Sequence, residues 1–198
     1  IEKIDTVIFK VQGGPNSTLL LDVVKNPFVL LDEDYFNDYM YNLDGLTKIN
    51  DRLTYIISFK QKPNVDYPLY YGKFYIDLET MAITSIEFDL NLDDAVAASQ
   101  MFVKKKPRNL SLIPVQASYM VNYKEDKEKW YFNYARCDVK FKCKWKTKLF
   151  NTTYATSTEM AVTNRDEENA EKFSAKTRLQ PHEILTEKVE YFIDNDFW

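Results

Sequence analysis

Side chains suited to covalent or metal chemistry are few in this chain. Among 198 residues there are one histidine and two cysteines, against 26 basic and 30 acidic residues, a formal charge of −4. His182 lies in Leu179-Gln-Pro-His-Glu183, a polar stretch that follows a proline. A single imidazole cannot supply two zinc ligands, so H-E-x-x-H and His₂Glu peptidase sites are excluded. As a general base, His182 would need a serine and an acid placed against it, and no G-x-S-x-G turn is present. It reads as a surface residue. Cys137 and Cys143 cannot build a four-ligand zinc cluster and do not form C-x-x-C. Six residues apart on one face of a strand, they stand about 20 Å from each other. A disulfide needs Cα atoms within roughly 7 Å. They are expected to be unpaired, buried small hydrophobes.

The glycines are Gly13, Gly14, Gly45 and Gly72. With these four, neither G-x-G-x-x-G nor the P-loop can be written, and nucleotide cradles of those kinds are out. Two acidic clusters, Asp32-Glu-Asp34 with Asp38 and Asp194-Asn-Asp196, invite a calcium reading. The first has Asn37 where a calcium loop of the EF-hand type needs glycine, so both read as turn caps or solvated loops. No metal and no cofactor is expected.

Two larger groups of residues remain. Lys140, Lys142, Lys144, Lys146 and Lys148 alternate with Val139, Phe141, Cys143 and Trp145. Period two gives one buried and one solvated face. A charged strand face ordinarily solvates and blunts edge-to-edge pairing. The functional alternative is contact of Lys140, Lys142, Lys144 and Lys146 with an anionic surface, such as lipid headgroups or a phosphorylated glycan. Lys104-Lys-Lys106 and Arg108 join them only if the fold brings them together. Nucleic acid is not expected, because the chain is acidic overall and the stripe lacks interleaved exposed aromatics.

The second group is aromatic: 14 Tyr, 13 Phe and 3 Trp. Tyr39, Tyr41, Tyr55, Phe59, Phe74, Phe88, Tyr119, Phe141 and Trp145 all fall on the inward faces of the strands described next. Core packing is the ordinary explanation. One or two short helices are too few to cover a sheet of seven to nine strands, so either the sheet closes on itself or the face lines a groove.

The elements that must position these residues are mostly strands. Tyr39, Tyr41 and Leu43 alternate with polar residues, then a turn at Asn50-Asp51 leads into Leu53, Tyr55, Ile57 and Phe59. A second hairpin carries Tyr70, Phe74 and Ile76, a turn at Leu78-Glu79-Thr80, and Ile86, Phe88 and Leu90. Ile113 through Tyr123 alternate strictly, and a charged turn at 124–129 precedes a run from Trp130 to Phe150. A straight strand of that length would span roughly 65 Å. It is expected to bend or bulge near Ala135, with Trp130, Phe132 and Tyr134 giving the outer face an apolar start. A last strand carries Tyr154, Met160 and Val162. A helix is predicted at about 93–104 with Asp93 as N-cap, and a second at about 17–25 from Ser17, with strand as the alternative. No stretch approaches 18 consecutive apolar residues, so no membrane-spanning helix is encoded.

The fold class is therefore mainly β: a strongly twisted antiparallel meander forming a half-open barrel, with one or two short helices. Residues 1–198 read as a single β-rich domain, with 165–198 a polar, partly irregular segment. The start at Ile1 and the end at Trp198 suggest a fragment of a larger chain.

Several segments resemble a known family. They are Asp22-Val-Val-Lys-Asn-Pro27, Tyr55-Ile-Ile-Ser-Phe59, Gly72-Lys-Phe-Tyr-Ile-Asp77 with Met81-Ala-Ile83, and Trp130-Tyr-Phe-Asn-Tyr134. The lysine-alternating strand, Glu159-Met-Ala-Val-Thr163 and Asp196-Phe-Trp198 belong with them. Together they resemble the Bacteroidetes carboxypeptidase-like regulatory-domain-containing envelope proteins, in the region after their immunoglobulin-like module. The motifs are strand and turn signatures rather than catalytic ones. The resemblance implies export to the periplasm or outer-membrane surface of a Gram-negative bacterium. The pattern Y-x-I-x-F, then G-x-x-Y-I-D-x-x-T, is also similar at fold level to lipoprotein-localisation carriers, which hold acyl chains in a half-open barrel.

The leading expectation is a non-enzymatic envelope domain. It would bind an apolar ligand, lipid or lipoprotein acyl chain, or dock another envelope component, through a concave aromatic face of Tyr41, Tyr55, Phe59, Phe74, Phe88, Tyr119, Phe141 and Trp145. The alternatives are a structural spacer with its lysine face toward membrane or glycan, and a hydrolase using His182 or a carboxylate pair.

Overall fold

Period-two patterning over most of the chain produces the expected meander. The computed structural model describes residues 10–11, 15–27, 30–49, 51–165 and 174. In chain order the elements begin with β1 (Lys10–Val11), α1 (Pro15–Leu20), α2 (Glu33–Phe36), β2 (Tyr39–Ile49), β3 (Arg52–Gln61), β4 (Tyr70–Asp77) and β5 (Ile83–Leu90). They continue with α3 (Ala95–Phe102), β6 (Val103–Lys105), β7 (Leu110–Asp126), β8 (Lys129–Trp145) and β9 (Thr152–Ala161). One antiparallel sheet has the order β2-β3-β4-β5-β7-β8-β9, and β1 pairs with β6 in a separate two-stranded sheet. The large sheet does not close, which makes it the half-open barrel expected from the sequence.

Four register shifts bend this sheet, one each in β2, β5, β7 and β8, and each moves side chains to the opposite face, as one inserted residue must. In β7 the shift lies between Pro114 and Gln116. Leu110, Leu112 and Pro114 are therefore buried on one side of it, and Ala117 and Val121 on the other. The strict alternation read through Ile113 and Val115 is corrected: Ile113 lies opposite the core, paired with Lys142, and Val115 is the extra residue, outside the ladder and exposed. In β8 the extra residue is Asn133, since Tyr134 pairs with Asn122 and Phe132 with Tyr123. The bend falls two residues from the expected Ala135. It turns Trp130 and Phe132 onto the core side, where they pack against the buried cluster, so only Tyr134 stays on the outer face. In β2 the shift between Leu43 and Gly45 does the same, and Gly45 takes φ 138°, a conformation open to glycine.

The core lies on one face of the sheet, and its cover is built by the chain itself. Val23 and Leu30, after α1, pack on Phe59, Phe74, Ile86, Phe88 and Val121. Farther along the sheet, Ala98 and Phe102 of α3 pack on Leu110, Leu112, Val139 and Phe141. Phe102 meets Phe141 edge-on with ring centroids 5.7 Å apart, and Ser99 Oγ donates to Leu112 O at 2.8 Å. The cap of α3 is Asp94, one residue past the expected Asp93: its carboxylate accepts from Val96 N and Ala97 N. The predicted helix at 17–25 is shorter and earlier, ending at Leu20. A third, single-turn helix, α2, was not expected. Asp32 caps it by accepting from Asp34 N, which gives the first acidic cluster its role.

Candidate docking surface

Half of the aromatic stripe is core. Phe59, Phe74, Phe88 and Phe141 are buried, and their rings interlock with each other and with neighbours. Phe59 lies 4.6 Å from Phe74 between centroids, and Phe88 stacks on Tyr119 at 5.0 Å. Such pairs add roughly 0.5–1.5 kcal/mol each beyond their area. Tyr41 and Tyr119 are partly buried against the first cluster. Burial pushes the Tyr119 hydroxyl above its ordinary range and neighbouring Tyr70 up to about 12, so both phenols stay neutral at neutral pH. The cavity under the cover, between Leu20, Leu21, Val23, Leu30, Tyr70 and Phe88, is about 30 Å³, the share of a single water. An acyl chain on this face would have to displace Val23 and Leu30.

Tyr55 and Trp145 lie at the margins. Tyr55 is outside both buried clusters, and Leu43, Leu46 and Leu53 around it are exposed. Trp145 packs partly on the second cluster, and the Lys148 ammonium sits 5.6 Å above its ring. Cys137 and Cys143 are buried and unbonded, as expected. Burial raises the Cys137 thiol to about 11, which suppresses the reactive thiolate. A thiol reagent at pH near 8 should accordingly leave the native protein unlabelled and modify two thiols once guanidinium unfolds it. Rapid labelling of the native protein would contradict that burial. His182 and Asp194-Asn-Asp196 lie outside the described residues, as does the segment from 165 onward except Arg165 and Ser174.

The sequence reading missed a groove of about 710 Å³ where the β7–β8 hairpin curls over β3, lined by Arg52, Thr54, Tyr75, Glu87, Asn122, Glu125 and Trp130 among others. Its polar groups already serve each other. Arg52 Nε and Nη2 donate to the two oxygens of Asp77 at 2.6 and 3.0 Å, and Nη1 donates to Glu125 Oε2 at 2.6 Å. Ser85 Oγ donates to Asn122 Oδ1 at 2.6 Å, and Trp130 Nε1 donates to Thr80 Oγ1 at 3.1 Å. Arg52 also stands 5.6 Å from the centre of the Trp130 ring. The network clasps the β7–β8 hairpin to β3 and the β4–β5 turn across the curled sheet. The groove is the hollow of that clasp. The signal for it was Y-I-D-x-x-T, whose Asp77 caps the turn by accepting from Glu79 N, Thr80 N and Thr80 Oγ1.

The lysine strand is where unpaired charge collects. Lys140, Lys142 and Lys144 project from β8 on the side opposite the core and are exposed. Strand β8 ends at Trp145, so the alternation does not run to Phe150 as read from sequence: Lys146 and Lys148 lie in the turn before β9. Among the described residues none of these lysines has a carboxylate within ion-pair distance. Among the described residues, the ion pairs on this face of β8 are those of Arg136 with Asp138 and Glu159, nearer the other end. The fold also brings the second basic segment to the same end: Lys146 N donates to Asn109 O at 3.0 Å, beside exposed Arg108, and Lys106 Nζ reaches Leu110 O at 2.8 Å. From Ala95 to Tyr123 the chain has four basic residues and no acid, and from Val139 to Thr158 five and no acid. These two runs are neighbours through β7 and β8, with Ser111 opposite Lys144 and Ile113 opposite Lys142. A chain that is acidic overall therefore carries one strongly basic end. No described helix is long and apolar enough to cross a membrane. Neither a protein-family model, nor a curated protein, nor a solved structure matches this chain.

Proposed function

We propose that this chain is a non-catalytic bacterial envelope domain that docks on an anionic lipid surface through the basic end of β7 and β8. The observation that carries the reading is the convergence of two acid-free basic runs, with Lys140, Lys142 and Lys144 unpaired and exposed on one strand face. A surface-proximal lysine is worth about 1 kcal/mol at an anionic leaflet. Several acting together give useful affinity without a shaped pocket. The envelope setting rests on the resemblance of the strand and turn motifs.

Changing Lys140, Lys142 and Lys144 together to Glu should abolish cosedimentation with vesicles containing phosphatidylglycerol, and added salt should weaken wild-type binding. Binding that survives the triple reversal would refute the reading. The three side chains are solvent-facing, so an unchanged thermal midpoint would separate this effect from unfolding.

A second reading is docking of an envelope protein on the uncovered end of the aromatic face, and exposed Leu43, Leu46 and Leu53 beside Tyr55 favour it. Leu46→Asp with Leu53→Asp would remove crosslinking to such a partner while leaving vesicle binding intact.

A further inference from the structure

The turn between β8 and β9 adds something that charge alone does not require. Leu149 and Phe150 are 97% and 84% exposed, in the turn of a hairpin whose stem carries Lys142 and Lys144 and whose turn also carries Lys146 and Lys148. Large apolar side chains are seldom so exposed in a folded domain, and two in succession at a turn are a patch without a partner among the described residues. Behind the tip, Trp145 stands at the end of β8 with Lys148 over its ring, and Ile113 lies on the lysine side of β7, opposite Lys142. The order along the hairpin is thus apolar tip, then lysines with an aromatic ring among them, then the polar sheet. Membrane interfaces select that order: apolar groups below the headgroups, amphipathic rings and long basic side chains at headgroup level.

We infer that the β8–β9 turn inserts Leu149 and Phe150 into the acyl layer of an anionic bilayer while Lys142, Lys144, Lys146 and Lys148 hold the phosphates above it. The inference rests on the docking reading above and names its depth. The occupant is a bilayer rather than a phosphorylated glycan, because a glycan offers no apolar layer to bury the tip. Each lysine contributes roughly fivefold to partitioning, and burying a leucine and a phenylalanine contributes roughly 150-fold or more together.

Two measurements on the full chain test it. Leu149→Ser with Phe150→Ser should lower partitioning onto phosphatidylglycerol-containing vesicles by about 150-fold or more, with every lysine retained and the circular dichroism unchanged. In the second, Leu149→Cys is labelled with an environment-sensitive dye while Cys137 and Cys143 stay buried. Its emission should shift to the blue on anionic vesicles and be quenched by lipids brominated in the acyl chain. If the protein binds these vesicles but the dye spectrum and the Ser variant's partitioning are unchanged, insertion is overturned and lysine docking stands. If wild type binds no anionic vesicle, both readings fall. Binding to a soluble phosphorylated saccharide as tight as to vesicles overturns insertion.

Discussion

Asp77→Ala is expected to lower the stability of the domain by about 3 kcal/mol, seen as an earlier urea midpoint with the same slope. Asp77 is 1% exposed and does two things at once. Its carboxylate takes a two-pronged hydrogen bond from Arg52, and one of its oxygens accepts three hydrogen bonds from Glu79 and Thr80. Alanine leaves the turn's N–H groups without partners and strips Arg52 of its nearest anion, and breaking one side of a buried pair commonly costs 3–5 kcal/mol. Arg52 is partly exposed and keeps Glu125, which places the effect at the low end of that range. The pair also sets a pH dependence. The Arg52 guanidinium beside Asp77 holds its carboxyl well below the usual carboxylate range. As pH falls below about 4, the unfolded chain takes up this proton before the native state does, so stability declines from there downward and is full above it. Asp138, held low by Arg136, and Asp44, held low by Asn42 and Ser58, add to the same slope. Asp77→Asn should make the acid limb shallower. An unchanged limb would mean that Asp77 is not its source.

Gly72→Ala should be nearly as damaging, for a steric reason. A Cβ at Gly72 would lie 2.1 Å from Glu87 O, 2.7 Å from Phe88 Cα and 2.8 Å from Phe88 Cβ. None of these atoms is the far end of a flexible side chain, so β4 and β5 must part to admit a methyl group. Gly72 sits opposite Phe59 on one side and Phe88 on the other, and those rings fill the space that its missing side chain leaves. Overpacking a well-filled site costs typically 1–3 kcal/mol. With backbone on the receiving side, about 3 kcal/mol is expected, measured as a lower thermal midpoint. A Gly72→Ala protein of wild-type stability would show that the two strands can separate here without loss.

Residues whose role depends on near neighbours were legible in the sequence. The hairpins, the turn at Leu78-Glu79-Thr80, the buried unpaired cysteines and the exposed lysines of β8 all follow from period two and local turn chemistry. The four register shifts were read only in part. A bend near Ala135 was expected because the strand was too long. Nothing in the pattern marked Val115 or Asp44 as the surplus residue, and a shift of one residue reverses every face beyond it. The groove at Arg52 was invisible for a different reason: Arg52, Asp77 and Glu125 are far apart in the chain and meet only because the sheet curls.

Chemistry excluded by composition was therefore settled by the chain alone, as was the antiparallel, mainly β architecture. Alternation is local, and one histidine or four glycines cannot be rearranged into a missing motif. The fate of the aromatic surplus was decided by tertiary structure. Whether Phe59, Phe74, Phe88 and Phe141 line a groove or a core depends on what lies across from them, and Val23, Leu30, Ala98 and Phe102 come to lie there from distant parts of the chain. The basic end arises the same way. Arg108 and Lys146 are ordinary charges in sequence, and become one surface only when β7 and β8 pair and carry the Leu149-Phe150 turn beyond them.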